Sequence, residues 1–178
     1  MGSGYLMSPL MLVINTLFDL YILLVLLRFL LQMLRADFYN PVSQFIVRMT
    51  TPPLRYLRRL IPSVSGQDTA SVVLCLLLIY AKFMFMRALS IPAVYIGGQT
   101  VRLDVSYAGL FIYCIADLIA LVLTVFLVAI IIRVVLSWIS PGHYNPVVGL
   151  VDRIASPVLR PIQRMLPPMP FGGRSAFV

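Results

Sequence analysis

Residues 38–62 read FYNPVSQFIVRMTTPPLRYLRRLIP, and residues 143–167 read HYNPVVGLVDRIASPVLRPIQRMLP. Adding 105 to every position of residues 28–62 gives residues 133–167 without a gap, and 12 of these 35 aligned positions are identical. The identities fall mostly on Tyr, Asn, Pro and Arg rather than on Leu, so shared hydrophobicity alone does not explain them. The pattern predicts a duplicated unit. We call the two quoted stretches the first and second basic cassettes.

The chain that carries the cassettes is far more apolar than a soluble domain. Of its 178 residues, 61% are hydrophobic and 11% are charged, and the mean hydropathy is +0.98. Soluble domains have roughly 45–50% apolar and about 25% charged residues. Fourteen basic residues against six acidic ones give a net charge of +8, which suits anionic lipid head groups. The composition predicts an all-α integral membrane protein.

Three apolar runs are long enough to cross a bilayer. Residues 10–34 and 69–89 each supply the roughly 20 residues that a helix needs to span about 30 Å. Residues 107–139 would form a helix of about 50 Å, so only part of it need lie in the membrane. The stretch before the first run lacks a basic region and a clear cleavage site, which favours a retained span over a secretory signal. Residues 90–106 contain helix-breaking Pro and Gly and predict a short exposed loop.

Basic residues follow the first and third spans, whereas the loop between the second and third spans has only Arg102, offset by Asp104. Because basic residues concentrate on the cytoplasmic side, both cassettes are predicted to be cytoplasmic and the N-terminus outside. The two halves then run in the same direction, as a parallel repeat. The predicted organisation is a first repeat at 10–62, a second span at 69–89, an extracytoplasmic loop at 90–106, a second repeat at 107–167 and a tail at 168–178.

Each cassette is predicted to form two short amphipathic helices joined at a fixed elbow. Asn40-Pro41 and Asn145-Pro146 place a capping side chain before a proline at the first helical position. Thr51-Pro52 and Ser156-Pro157 repeat this pattern, which predicts that a second helix begins there. The four predicted helix caps are Asn40, Thr51, Asn145 and Ser156.

Arginines occupy the face of each second helix that lies opposite its apolar residues. Arg55 and Arg59, matched by Arg160 and Arg164, are four residues apart and therefore share a helix face. A helix of this kind lies in the head-group plane with its arginines toward lipid phosphate. The residues predicted to bind lipid or a partner are Arg48, Arg55, Arg59, Arg153, Arg160 and Arg164.

Each repeat consists of a span with a late Arg, then YNP, an amphipathic stretch, a Thr-Pro or Ser-Pro pair, a basic helix containing LR, and a terminal LIP or MLP. This duplicated arrangement resembles the YggT family, called YlmG in Gram-positive bacteria, of small bacterial and plastid membrane proteins. The resemblance covers nearly the whole chain. It implies a bacterial inner-membrane location and an association with envelope biogenesis, cell division and nucleoid distribution, or ion homeostasis, without an agreed biochemical activity.

Charged residues inside the spans are expected to pair. Asp19 lies 15 residues, about 22 Å, from the inner end of the first span, and Lys82 lies 13 residues, about 20 Å, from the inner end of the second. This matching depth predicts an Asp19–Lys82 ion pair, because an unpaired charge in the membrane costs about 3 kcal/mol or more. A structural pair is favoured over a proton or ion relay. Asp117 and Arg87 are predicted to meet near the outer boundary.

Arg28 and Arg133 each lie about 9 Å from the inner end of their span. One reading is that both side chains snorkel to the interface. The other is that they face each other as a clamp for an anion or a lipid phosphate. Trp138, close to the inner end of the third span, is predicted to be an interfacial anchor.

Residues for catalysis or metal binding are scarce. Cys75 and Cys114 lie in apolar runs without metal-ligand spacing, and His143 is the single histidine. Neither a catalytic triad nor a metal site can be assembled from them, and no phosphate-cradling Gly loop is present. We therefore expect a protein that is not an enzyme and needs no cofactor or metal. Direct contact with nucleic acid is not expected, because the basic stretches lack interleaved stacking aromatics.

Two functions fit these features. The leading hypothesis is a scaffold or assembly factor for envelope or cell-division organisation, whose cytoplasmic basic helices bind anionic lipid and dock other membrane or division proteins. The alternative is a channel or transporter component in ion homeostasis, indicated by the charges within the spans. Because three spans are few for a transport path, that alternative requires a homo-oligomer.

Overall fold

The structure is a computed structural model that describes residues 3–34, 40–61, 68–89, 91, 93–139 and 146–165. These residues form helices α1 (Ser3–Met33), α2 (Pro41–Leu60), α3 (Thr69–Ala88), α4 (Tyr107–Ile139) and α5 (Pro146–Met165), and strands β1 (Ala93–Ile96) and β2 (Gln99–Arg102) between α3 and α4. Within this described part, Met11–Met33, Thr69–Ala88 and Tyr107–Leu136 are long and apolar enough to cross a membrane. The three predicted spans are therefore found.

Asn40 begins α2 as predicted. Its backbone is extended, and its side-chain Oδ1 accepts a hydrogen bond from the Val42 N–H at 2.9 Å, which satisfies one of the free donors of the first turn. Pro41, with no N–H to satisfy, follows at the first helical position. The matching cap at Asn145 lies outside the described residues.

The predicted elbow within each cassette is wrong, because α2 and α5 are each one continuous helix. Thr51 and Ser156 lie inside these helices and cannot cap, since a capping residue needs a non-helical backbone. Their hydroxyls point backward instead: Thr51 Oγ1 donates to the Val47 carbonyl and Ser156 Oγ to the Arg153 carbonyl. Proline removes one helical hydrogen bond but does not force a second helix.

Tertiary packing explains why α2 continues through Pro52 and Pro53. Ile46 precedes the prolines and Leu54 follows them, and both side chains are buried against the spans, at 2% and 1% exposure. Contacts on both sides of the prolines hold the two halves of α2 on one surface. The local Thr51-Pro52 pattern could not reveal these tertiary contacts.

The loop predicted between the second and third spans is a β-hairpin, so the all-α prediction is wrong at this point. Val94 pairs with Val101 and Ile96 with Gln99 around a two-residue turn. That turn is Gly97-Gly98, with φ of +57° and +85°, and two positive φ values in succession are what the type I′ turn of a two-residue hairpin requires. Val94 and Ile96 are buried at 8% exposure each, which anchors the hairpin to the helices.

The described helices form a packed bundle in which α1, α2 and α3 contact one another pairwise. α3 packs against both α1 and α4, α2 packs against α1 and α3, and α5 packs against α4. One buried cluster joins all five helices through residues such as Val25, Leu54, Cys75 and Ala155, and a second joins α1, α3 and α4 to the hairpin. In lipid, association of helices depends on close packing and polar contacts rather than on hydrophobic burial. The polar contacts between helices are therefore the places where a functional site is expected.

Candidate functional site

A cluster of three charged side chains joins α1, α3 and α4. Lys82 Nζ on α3 lies 2.7 Å from Asp19 Oδ1 on α1 and 3.3 Å from Asp117 Oδ2 on α4. The Lys82 side chain is 4% exposed, against 47% for Asp19 and 18% for Asp117. Asn15, one turn before Asp19, donates to Asp19 Oδ2 at 3.1 Å. The predicted Asp19–Lys82 pair is confirmed, and the structure adds a second carboxylate to it.

The predicted contact between Asp117 and Arg87 is wrong. Arg87 Nη1 donates to the Val105 carbonyl at 2.6 Å, and its guanidinium lies 5.2 Å from the centre of the Tyr107 ring. Depth explains the choice: Arg87 is the residue before the last of α3, whereas Asp117 lies ten residues into α4 and Lys82 six residues before the end of α3. At 1.5 Å per residue, Lys82 is much nearer the level of Asp117 than Arg87 is. The same count could have identified the third member of the cluster.

A cavity of about 290 Å³ lies beside these charges. Asp19, Lys82 and Asp117 line it together with Thr124 of α4 and the Gly97-Gly98 turn of the hairpin. A Cβ at Gly97 would lie 3.4 Å from that of Ala120, so the turn approaches α4 closely at this point. Two carboxylates share one ammonium group here, and the fully ionised cluster carries a net negative charge. Chemically, such a cavity can hold a proton or a small cation.

A second polar contact connects α1 to α2 through Arg28. Its Nη1 lies 3.0 Å from the Val47 carbonyl oxygen and 2.9 Å from each of the Thr50 and Thr51 hydroxyl oxygens. Arg28 is 7% exposed, so it does not extend to the lipid interface. Arg28 therefore neither snorkels to the interface nor forms an anion clamp with Arg133, because α2 covers the guanidinium and supplies its acceptors. The residue joins a span to the helix that follows it.

Arg133 makes the corresponding contact in the second half of the chain. Its Nε lies 2.9 Å from Asp152 Oδ1 on α5, and both side chains are partly exposed, at 36% and 47%. Subtracting 105 from Arg133 and Asp152 gives Arg28 and Val47, which are also in contact. Each arginine thus binds the helix after its own span rather than facing the other arginine as a clamp. Arg28 does so buried and Arg133 partly exposed.

A third polar contact, which the sequence analysis missed, ties the end of α2 to the start of α3. Asp68, just before α3, accepts hydrogen bonds from Arg58 Nη2 and from Ser71 Oγ, and it is 3% exposed. An Asp directly before a helix is a recognisable signal, but its partner Arg58 could not be read from spacing. Burial by itself would raise the pKa of Asp68. Hydrogen bonds from Arg58 and Ser71, and the positive charges of Arg58 and Arg28, outweigh burial and lower this pKa below its ordinary value.

The lowered pKa makes part of the protein's stability acid-sensitive. Since an unfolded Asp has a pKa of about 4, the stabilisation from Asp68 is fully present above that pH and is lost as the pH falls through the folded-state pKa. We expect the thermal unfolding midpoint of the wild type in detergent to fall more steeply between about pH 5 and pH 3 than that of Asp68→Asn. Asp104→Asn, which changes an exposed residue two positions after β2, should keep the wild-type profile. Parallel profiles for the wild type and Asp68→Asn would contradict the assignment.

Five of the six predicted lipid- or partner-binding arginines have described side chains, and all five are exposed: Arg48, Arg55, Arg59, Arg153 and Arg160. The side chain of Arg164 lies outside the described part. None of the ion pairs found among the described residues includes any of these five. Large apolar side chains of α2 are exposed beside them, with Phe45 at 52%, Met49 at 47% and Tyr56 at 73% exposure. Trp138, at the end of α4, is 82% exposed.

The fold and these contacts define a helical protein with three helices of membrane-crossing length, in which the first and third are each bound through an arginine to the basic helix that follows. The chain belongs to the CCB3/YggT family, whose model matches residues 7–89 and 112–175. The resemblance drawn from the cassettes is therefore confirmed. The two matched segments begin 105 residues apart, which is the offset of the predicted repeat.

Several proteins of similar length are related to this chain in sequence. An uncharacterised protein of Pseudomonas aeruginosa is 44% identical over 155 residues, covering 87% of this chain and 74% of its own. An uncharacterised Vibrio alginolyticus protein encoded in the proC 3′ region is 37% identical, covering 90% and 82%. The uncharacterised protein YggT of Escherichia coli K12 is 32% identical, covering 92% and 79%. No solved structure matches the chain. The names of these relatives denote neither an enzyme nor a substrate.

Proposed function

We propose that the protein is a non-enzymatic scaffold or assembly factor of the bacterial inner membrane, acting in the organisation of the envelope or of cell division. In this proposal α2 and α5 lie at the cytoplasmic surface, where they bind anionic lipid and dock other membrane or division proteins. The observation that carries it is the exposure of Arg48, Arg55 and Arg59 on α2 and of Arg153 and Arg160 on α5, none of which has a carboxylate partner among the described residues. A cation left exposed at a membrane surface attracts lipid phosphate.

The attachment of α2 supports this proposal. Arg28 binds Val47 and Thr51 on one side of α2, while Leu54 is buried and Arg55 and Arg59 are exposed. The helix therefore cannot turn its basic face inward without breaking these contacts. A basic face fixed in direction, on the side that the positive-inside tendency makes cytoplasmic, is what a scaffold needs to present a constant surface to lipid and partners.

Replacing four arginines together tests the lipid part of the proposal. We expect Arg55→Gln, Arg59→Gln, Arg160→Gln and Arg164→Gln, combined in one protein, to abolish most of the preference for phosphatidylglycerol over phosphatidylcholine. Each basic residue near an anionic surface contributes about 1 kcal/mol. The preference can be measured by electron paramagnetic resonance of spin-labelled lipids around the reconstituted full chain. An unchanged preference at low salt would refute a lipid-binding scaffold.

A second candidate function is a component of an oligomeric channel or transporter for ions. The observation that favours it is the cavity of about 290 Å³ beside Asp19, Lys82 and Asp117, because ionisable groups within a membrane mark ion and proton paths as well as structural pairs. The net negative charge of the cluster would favour a cation or a proton over an anion.

Liposome flux separates the second candidate from the first. If the cluster conducts, the reconstituted wild type should pass potassium ions or protons at a fixed membrane potential, and Asp19→Asn should reduce that flux at least about tenfold, because it removes the most exposed carboxylate of the cluster. Asp104→Asn, which removes an exposed carboxylate two residues after β2, serves as the matched control. Equal flux in empty and protein-containing liposomes would leave the cluster as a structural contact.

A further inference from the structure

The exposed side of α2 contains a groove of about 630 Å³. Arg48 and Arg55 line it, with Gln44, Tyr56 and Pro52. The two arginines are seven residues apart, which is about two helical turns, so they lie on the same face of α2 about 10 Å apart along the axis. Two cations of one groove can therefore meet a single anion from both sides.

The wall of this groove is held in place from behind. Val47 and Thr51 also line it, and Arg28 binds the Val47 carbonyl and the Thr51 hydroxyl from the α1 side. Such support behind a site keeps its groups in position and lowers the ordering cost of binding. Arg48 and Arg55 face outward from this supported wall and belong to no ion pair among the residues described. Within the described part of the chain, positive charge is thus available in the groove without a carboxylate paired to it.

Pro52 gives the groove a further polar group. In a helix the carbonyl of residue 48 accepts from the N–H of residue 52, and proline has no N–H. The Arg48 main-chain carbonyl therefore lacks its helical donor and can accept a hydrogen bond from a hydroxyl. The Tyr56 ring, 73% exposed, and Pro52 supply apolar surface in the same groove. Two guanidinium groups, a carbonyl without its helical donor and apolar walls match the head group and glycerol region of one phospholipid.

We propose that this groove is a binding site for one anionic phospholipid whose head group carries hydroxyls, as in phosphatidylglycerol. The phosphate lies between Arg48 and Arg55, each donating charge-assisted hydrogen bonds, and a head-group hydroxyl donates to the Arg48 carbonyl. The inference rests on the proposed lipid-binding function and deepens it. Instead of general attraction to a charged surface, it specifies one lipid molecule per groove, selected by the phosphate and the hydroxyls of its head group.

The second half of the chain offers a matched control. Arg153 and Arg160 stand 105 residues after Arg48 and Arg55, at the same spacing. Asp152 occupies the position that corresponds to Val47, and Pro161 the position that corresponds to Tyr56. The same charge pattern on α5 therefore stands among different neighbours, with a carboxylate that pairs with Arg133 in place of Val47 and a proline in place of the tyrosine ring.

Native mass spectrometry of the detergent-purified full chain tests the proposal with three added lipids: phosphatidylglycerol, phosphatidylmethanol and phosphatidylcholine. Phosphatidylmethanol has the same phosphodiester charge but no head-group hydroxyl. We expect one phosphatidylglycerol to bind several-fold more tightly than phosphatidylmethanol, and phosphatidylcholine to bind least. Arg48→Gln with Arg55→Gln should weaken phosphatidylglycerol binding at least about tenfold, whereas Arg153→Gln with Arg160→Gln, which removes charge that acts only by general attraction, should weaken it about two- to threefold.

A charge-conserving variant separates a site from general attraction. Arg48→Lys with Arg55→Lys keeps both charges but loses the bidentate geometry of guanidinium, and we expect several-fold weaker binding of phosphatidylglycerol.

Equal losses of binding from the α2 and α5 glutamine pairs would overturn the groove and leave the proposed lipid-binding function standing, while no loss from either pair would count against both. Displacement of the lipid by millimolar inorganic phosphate would assign the groove to free phosphate and overturn the proposal. Tight binding of phosphatidylmethanol equal to that of phosphatidylglycerol would refute the hydroxyl contact.

Discussion

Lys82→Gln is expected to destabilise the protein by about 3 kcal/mol, the largest effect of any single substitution outside the apolar core. Lys82 is 4% exposed and lies within hydrogen-bonding or ion-pair distance of two carboxylates. Removing one partner of a buried pair leaves charge without compensation and typically costs about 3–5 kcal/mol, and a charge within a membrane is costly in itself. The free energy of unfolding can be measured by titrating folded protein with sodium dodecyl sulfate in mixed micelles.

Two controls make this result specific. Arg102→Gln removes a basic residue from an exposed position of the hairpin and should change the free energy of unfolding by less than about 0.5 kcal/mol. Lys82→Gln combined with Asp19→Asn and Asp117→Asn removes all three charges, and we expect it to recover most of the lost stability, because no unpaired charge remains. If Lys82→Gln cost no more than Arg102→Gln, the cluster would not hold the three helices together.

Arg28→Met is expected to cost about 2–3 kcal/mol and to loosen α2 from α1. Arg28 is buried, and its Nη1 serves the Val47 carbonyl and two threonine hydroxyls. Hydrogen bonds to a charged group contribute about 1.5–3 kcal/mol when their loss leaves partners unsatisfied. The same detergent titration gives the stability, and hydrogen exchange of the α2 amides reports the loosening, since local opening exposes them.

Arg133→Met is the matched variant in the other half of the chain. Arg133 and Asp152 are 36% and 47% exposed, and exposed ion pairs contribute about 0–1 kcal/mol. We expect a loss below about 1 kcal/mol and no faster exchange in α2. Equal losses from Arg28→Met and Arg133→Met would mean that burial does not distinguish the two contacts. Arg28→Lys should lie between Met and the wild type, because lysine keeps the charge but not the planar fork.

The ion pair between α1 and α3 shows what counting residues along each helix can predict. In a membrane, the depth of a residue follows from its distance along the helix, and the cost of an unpaired charge restricts its partners to that depth. These two facts were enough to predict Asp19 with Lys82. The same two facts also indicate that Asp117 lies near Lys82, but the prediction paired Asp117 with Arg87. Arg87 lies near the end of α3 and instead binds Val105 and the Tyr107 ring.

The helices that follow the spans show where local signals mislead. Thr51-Pro52 has the composition of a helix start, and its prediction as a cap followed ordinary rules. Whether a helix breaks at a proline depends on what the residues on either side contact, and Ile46 and Leu54 are both buried. Likewise, the exposed loop became a hairpin because Val94, Ile96 and Leu103 found apolar helix surface to cover, although the Gly-Gly turn was visible in the sequence.

The sequence by itself determined the number and place of the spans, the basic character of both cassettes and the family, because these depend on composition, length and spacing along the chain. Tertiary structure alone decided that Arg28 is covered by α2, that Arg58 binds Asp68, and that Asp117 completes the charge cluster beside a cavity. These are contacts between residues distant in sequence, where several partners of similar chemistry compete. Helix packing chooses among them, because it fixes which side chains share one level and one face.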